Sequence, residues 1–188
     1  MSALTPFNTV GPFFKLLVRH RPEGTDCLVS TATAGQRITI RGTLVDGQRQ
    51  PIDDGLVEIW QADARGYYRH PYDPHHTLAD PAFTGFGRAA TMKGGVFSFR
   101  TIKPGVVPDV DGPAQAPHVL VSVMARGVMS RCWTRLYFEG EPLNATDAIL
   151  ALVPADRRGT LIARCTNDGE YGFNIVLQGE NETVFFEA

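Results

Sequence analysis

Short alternating runs of polar and apolar residues, separated by turn residues, dominate the chain. Arg37–Val45 (RITIRGTLV) alternates polar and apolar side chains and runs into the turn Asp46-Gly47, and Leu56–Ala62 (LVEIWQA) follows Asp53-Asp54-Gly55. A period of two marks a strand with one face buried. Val96–Thr101 follows Gly94-Gly95 and sets Val96 and Ser98 opposite Phe97 and Phe99. His118–Arg126, Cys132–Phe138, Tyr171–Gln178 and Thr183–Phe186 complete the predicted strands. Only Ala145–Leu152 reads as a short helix, and a second helical turn is expected near Pro154, because Pro suits a first-turn position. Such turn-punctuated strands, with 19 Gly and 13 Pro in the chain, predict an all-β sandwich with long loops and little helix. Thr5–Ala34 and Tyr67–Ala90 lack regular patterning. Two long loops in one compact domain point to an interaction surface.

Composition narrows the class without naming a function. With 188 residues, 43% hydrophobic and 20% charged, the chain can bury one sizeable core. A single domain over 1–188 is therefore expected, with 1–34 largely irregular. A net charge of -2 gives no electrostatic footprint for nucleic acid or an anionic membrane. No run approaches the ~18 apolar residues of a membrane span. Pro6, Asn8, Gly11 and Pro12 break up the N-terminus, which has neither a basic region nor a continuous apolar one. Cys27, Cys132 and Cys165 are too few and scattered for a disulfide framework, so reduced thiols and a cytoplasmic location are expected.

The candidate chemistry is sparse when each residue is taken alone. Alternation along the strand puts His118, Leu120, Ser122 and Met124 on one face and Val119, Val121 and Val123 on the other. A lone His on such a strand is more often a hydrogen-bonded core residue than a ligand. Tyr68 alone is a buried aromatic with a polar tip. His70, His75, His76 and Asp73 share one loop, but adjacent histidines rarely point at one centre and no metal-binding spacing supports them. Arg135 and Arg126 are surface charges by default. Arg126 nevertheless ends an apolar strand before Gly127, a good position for presenting a guanidinium to a carboxylate at a pocket rim.

Order and spacing add more than any single residue. Thr9-Val10-Gly11-Pro12-Phe13, Trp60-Gln61-Ala62-Asp63-Ala64, Phe86-Gly87-Arg88, Thr101-Ile102-Lys103-Pro104-Gly105, Ala116-Pro117-His118, Ala125-Arg126-Gly127 and Gln178-Gly179-Glu180-Asn181 follow one another along nearly the whole chain. Together they resemble the intradiol ring-cleaving dioxygenases. In that family a Tyr closes the Trp-Gln-Ala segment, a second Tyr follows the Pro-Gly segment, and a His-x-His pair comes next. All four bind one ferric ion.

Here the resemblance places Tyr68 and His118 at two ligand positions, and Val107 and Leu120 at the others. Neither hydrocarbon can donate a lone pair. Gln115 stands where catalytic subunits carry an Arg, so the chain is more similar to the α subunits of heteromeric members. That resemblance implies a β-sandwich fold and an obligate hetero-oligomer with a homologous β subunit that holds the Fe(III). It also implies an active site at the α–β interface, to which Thr9 and Arg126 contribute. The reaction implied is O₂-dependent opening of 3,4-dihydroxybenzoate to 3-carboxy-cis,cis-muconate, in the β-ketoadipate pathway of aromatic catabolism. On this reading the chain alone carries no catalytic residue and no metal, and Leu4–Leu17, with Phe7, Phe13 and Phe14, lies against the partner. Two alternatives remain open at this point: a homomeric iron dioxygenase and a non-enzymatic β-sandwich binding module.

Overall fold

The structure, a computed structural model, describes Thr9, Gly11 and residues 25–109 and 112–187. The rest of Leu4–Leu17 lies outside the described residues. Nine strands are present among the described residues: β1 Arg37–Val45, β2 Leu56–Gln61, β3 Phe86–Ala90, β4 Val96–Ile102, β5 His118–Met124, β6 Cys132–Phe138, β7 Ile162–Asn167, β8 Glu170–Gly172 and β9 Ile175–Val176. They join in the order β3-β2-β5-β6-β7-β8-β1-β4, with β9 paired to β1. The path folds back on itself so that β3 and β4, its two ends, lie against each other. The core fills the space between the two halves. Val57, Ile59, Val119, Val121, Val123 and Leu136 come from one half, and Ile38, Ile40, Phe97, Phe99 and Ile175 from the other. The expected all-β architecture with little helix is what the chain adopts, and no described helix is long and apolar enough to cross a membrane.

Several boundaries differ from expectation, each for a local reason. β3 emerges from the end of the unpatterned Tyr67–Ala90 segment, where Leu56↔Ala90 through Trp60↔Phe86 pair antiparallel. Tyr171–Gln178 is not one strand but β8 and β9. At the break, Asn174 Oδ1 accepts the Thr43 amide at 3.0 Å in place of a backbone carbonyl. Thr183–Phe186 makes only an isolated bridge, Trp133↔Phe186. The expected helix Ala145–Leu152 is interrupted: a 3-10 turn spans Pro142–Ala145 and α1 is confined to Ala148–Ala151. Asp147 enforces the break, because an N-cap residue must leave helical geometry (φ -65, ψ 121) to aim its carboxylate at the amides of Ile149 and Leu150. A helical turn does begin at Pro154, whose carbonyl accepts from the Arg157 and Arg158 amides at 2.8 and 3.1 Å.

The β2-β5-β6 layer sets the stage for function. Val119, Val121 and Val123 point into the core, so His118, Leu120, Ser122 and Met124 occupy the outer face. Register brings Leu120 between Trp60 and Arg135, and His118 beside Tyr137. Of these, Trp60, His118, Leu120 and Arg135 line the cavity described next.

Candidate functional site

A cavity of about 370 Å³ opens over the His118 end of β5. Tyr68, Val107, His118 and Leu120 all line it, together with Trp60, Gln115 and Arg135. Positions spread over more than fifty residues of sequence therefore converge on one space. Tyr68, not its neighbour Tyr67, faces His118: its hydroxyl lies 3.3 Å from His118 Nε2. Tyr67 turns away to stack on His75 at 5.4 Å.

Backbone contacts hold this arrangement. Asp63 organises the turn after β2, accepting the Arg65 amide at 2.8 Å, the Tyr67 amide at 3.1 Å and the Asp80 amide at 2.8 Å. That turn lies directly on the Pro-Gly segment. A Cβ on Gly66 would stand 1.8 Å from the Val106 carbonyl oxygen, and one on Gly105 would stand 2.5 Å from that of Ala64. Both positions require glycine for close approach. Val107 then pairs with Gln115 through two backbone bonds, 3.1 and 2.9 Å, which returns the chain to His118. Behind the cavity, Asp147 ties three elements together. It accepts the Ala116 amide at 2.8 Å and the Tyr137 hydroxyl at 3.0 Å while capping α1.

The site is electrostatically unusual for a metal framework. His118 Nδ1 lies 2.8 Å from the Ala116 carbonyl, which can only accept, so Nδ1 carries the proton and Nε2 presents its lone pair to the Tyr68 hydroxyl. Burial, reinforced by the Arg135 charge, pushes the His118 pKa down to about 4. Burial pushes the Tyr68 phenol up to about 12, against the opposing pull of Arg135. Both groups are therefore neutral near pH 7 and satisfy each other. Arg135, expected to be an ordinary surface charge, is half-buried at the cavity, where its Nη1 donates to Gln115 Oε1 at 2.8 Å. It belongs to none of the ion pairs found among the described residues.

A ferric ion does not fit this donor set. Val107 and Leu120 offer no lone pair, Tyr68 and His118 are committed to each other, and a guanidinium stands beside them. Among the described residues no three His, Cys, Asp or Glu side chains gather as a metal-binding group. In the loop, His70 meets Trp60 edge-on at 6.2 Å, His75 approaches Asp73 at 3.7 Å, and His76 Nδ1 lies 2.8 Å from the Asp73 carbonyl.

Thr9 and Arg126 lie beyond the other end of β5, about 20 Å of strand away from His118. The structure does bring the two together. Thr9 Oγ1 accepts the Gly127 amide at 2.8 Å and donates to the Ala125 carbonyl at 3.5 Å, gripping the turn that carries Arg126. Arg126 is exposed and pairs with Asp54. Neither residue lines the cavity shared by Tyr68, Val107, His118 and Leu120. Sequence reasoning missed the roles of Arg135 and Asp147. Asp147 was detectable in principle, since an Asp ahead of Ala148-Ile149-Leu150 is a helix-start signal.

The chain is similar to known dioxygenases. A profile of the family described as "Dioxygenase" matches residues 10–179. The protocatechuate 3,4-dioxygenase alpha chain of Pseudomonas putida is 38% identical over 97% of this chain and 96% of its own length. The protocatechuate 3,4-dioxygenase beta chain of Burkholderia cepacia is 40% identical, over 79% of this chain and 67% of its own. Among solved structures, the dioxygenase domain of a dioxygenase–carbohydrate-binding fusion from Streptomyces sp. SirexAA-E superimposes with a TM-score of 0.62 at 29% identity, covering 93% of this chain and 98% of that one.

Proposed function

Since the chain belongs to the intradiol dioxygenase family, we propose that it is the non-iron α subunit of a heteromeric protocatechuate 3,4-dioxygenase. The observation that carries this reading is the convergence of Tyr68, Val107, His118 and Leu120 on one cavity with two hydrocarbons among them. A homomeric iron enzyme needs donors there. The breadth of similarity to the alpha chain, against the shorter stretch shared with the beta chain, supports the same assignment. On this reading a homologous β subunit would hold the Fe(III), whose chemistry would be activation of a catechol toward O₂, and the product of the assembled enzyme is 3-carboxy-cis,cis-muconate. Residues 1–188 form one intradiol-dioxygenase-like domain, with 1–34 contacting the partner. The assembly works in the cytoplasm, where three free cysteines remain reduced.

This chain's own contribution lies at the Thr9–Arg126 corner. Thr9 fixes the turn through the Gly127 amide, and Arg126 faces solvent from it. At an α–β interface a guanidinium so held can exchange Asp54 for the carboxylate of an aromatic substrate, orienting the ring and offsetting its charge. The test is reconstitution with the β partner. The chain alone should show no stoichiometric iron and no ring cleavage, and the assembled pair should show both. A lone chain with iron and activity would overturn the reading. In the assembled enzyme Arg126→Ala should lower kcat/KM roughly tenfold to a hundredfold, more for a carboxylated catechol than for catechol, with iron content unchanged.

A further inference from the structure

We propose that the cavity over β5 is a metal-free site for a small aromatic carboxylate, gripped by the Arg135 guanidinium between the aromatic and apolar walls. It stands on this chain's own residues and does not depend on the partner reading. The cavity, at about 370 Å³, sits at the small end of the range for ligand pockets. Its walls suit a flat ring. Trp60 and Tyr68 stack at 5.9 Å with an interplanar angle of 16°, and Val107, Pro108 and Leu120 add hydrocarbon surface.

Its polar inventory is lopsided. The Tyr68 hydroxyl and His118 Nε2 are engaged with each other. Asp73 is held by the amides of Tyr68 at 2.7 Å and His75 at 2.6 Å. Arg135 donates to Gln115 and also lies against the Tyr137 hydroxyl, which still leaves several of its five N–H donors for a planar, bidentate acceptor. Burial alone would raise the pKa of Tyr68 and Tyr137 and lower that of His118. The Arg135 charge opposes the first two shifts and adds to the third, so its positive field reaches Tyr68 and His118 in the cavity and Tyr137 behind them. Asp73 and Asp109 also line the space. Their negative charge opposes a polyanion such as inorganic phosphate more than a monocarboxylate, which the single Arg135 can match. The cavity thus carries a fixed cation, Arg135, in its own wall.

Calorimetric titration of the full-length chain with benzoate, phenol and inorganic phosphate tests this. Benzoate should bind saturably at one per chain. Phenol, which lacks the carboxylate, should bind at least about tenfold more weakly. Arg135→Gln should weaken benzoate about tenfold or more and leave phenol unchanged. Leu120→Trp, which fills the cavity from the outer face without touching the core, should abolish binding of both. No saturable benzoate binding, equal affinity in Arg135→Gln, or phosphate bound as tightly as benzoate would each overturn the proposal. If Arg135→Gln fails to fold, benzoate retained by Leu120→Trp would overturn it by itself.

Discussion

Replacing Asp147 with Ala should be among the most damaging single changes near the cavity. The carboxylate is 1% exposed and accepts from the Ile149, Leu150 and Ala116 amides and from the Tyr137 hydroxyl, at 3.0, 2.8, 2.8 and 3.0 Å. Loss of an N-cap costs about 1 kcal/mol. The Ala116 amide and the Tyr137 hydroxyl would each stay buried without an acceptor, at about 1–3 kcal/mol apiece. A total of roughly 3–7 kcal/mol follows, a large share of the ~5–15 kcal/mol that stabilises a typical domain. For a chain of this size that corresponds to a Tm lower by about 10–20 °C.

Burial raises the Asp147 pKa, but the bonds from Leu150, Ala116 and Tyr137 outweigh it and hold the carboxyl below its ordinary value. A depressed carboxyl stabilises the fold above its unfolded pKa and loses that contribution as pH falls toward the folded pKa. The gap between wild type and Asp147→Ala should therefore be full at pH 7 and shrink below about pH 4. Thermal and urea denaturation across that range are the assays. A Tm change under about 3 °C at pH 7, or a gap independent of pH, would refute the reasoning.

Three further outcomes are expected. His118, held neutral with a pKa of about 4 against an ordinary 6.5, stabilises the fold above its unfolded pKa. Stability should fall as pH drops from 6.5 toward 4, and His118→Asn should flatten that slope in urea titrations. Arg88→Ala should cost about 1.5–3 kcal/mol, because Arg88 Nε bonds Glu58 at 2.7 Å, Glu58 is 6% exposed and only the longer contact to Arg131 at 3.7 Å would remain; Glu58→Gln in the same chain should recover much of that loss in chemical denaturation. Val107→Tyr with Leu120→His should not restore iron binding while Arg135 remains, whereas adding Arg135→Gln should permit it, read as iron content and a tyrosinate-to-iron absorption band.

Strands with clean alternation were legible to the residue, as β1 and β6 show, because one buried face fixes both length and register. β3 was hidden because Phe86-Gly87-Arg88-Ala89-Ala90 has little intrinsic strand preference, and its neighbour β2 supplies the pairing. β7 was hidden for a different reason: only Ala163 of its six residues is buried, so it leaves almost no hydrophobic pattern. The convergence of Tyr68, Val107, His118 and Leu120 on one cavity was legible through motif spacing. The inward turn of Arg135 was not. Its alternation with Trp133 and Tyr137 says which face it occupies, but only the loop folded over that face decides whether the face meets water.

The glycine contacts beneath the cavity carry one more consequence. Gly66 lies on Val106, and Gly105 on Ala64, so main chain rests on main chain at the point where the two loops flanking the cavity meet. The socket is thereby shaped by backbone, while the side chains at 107 and 120 merely hang into it. Such a site can lose or gain donors without moving its walls. Exchange of contents at those positions is then uncoupled from folding, and one scaffold can serve either as a metal cage or as a cup for an anion.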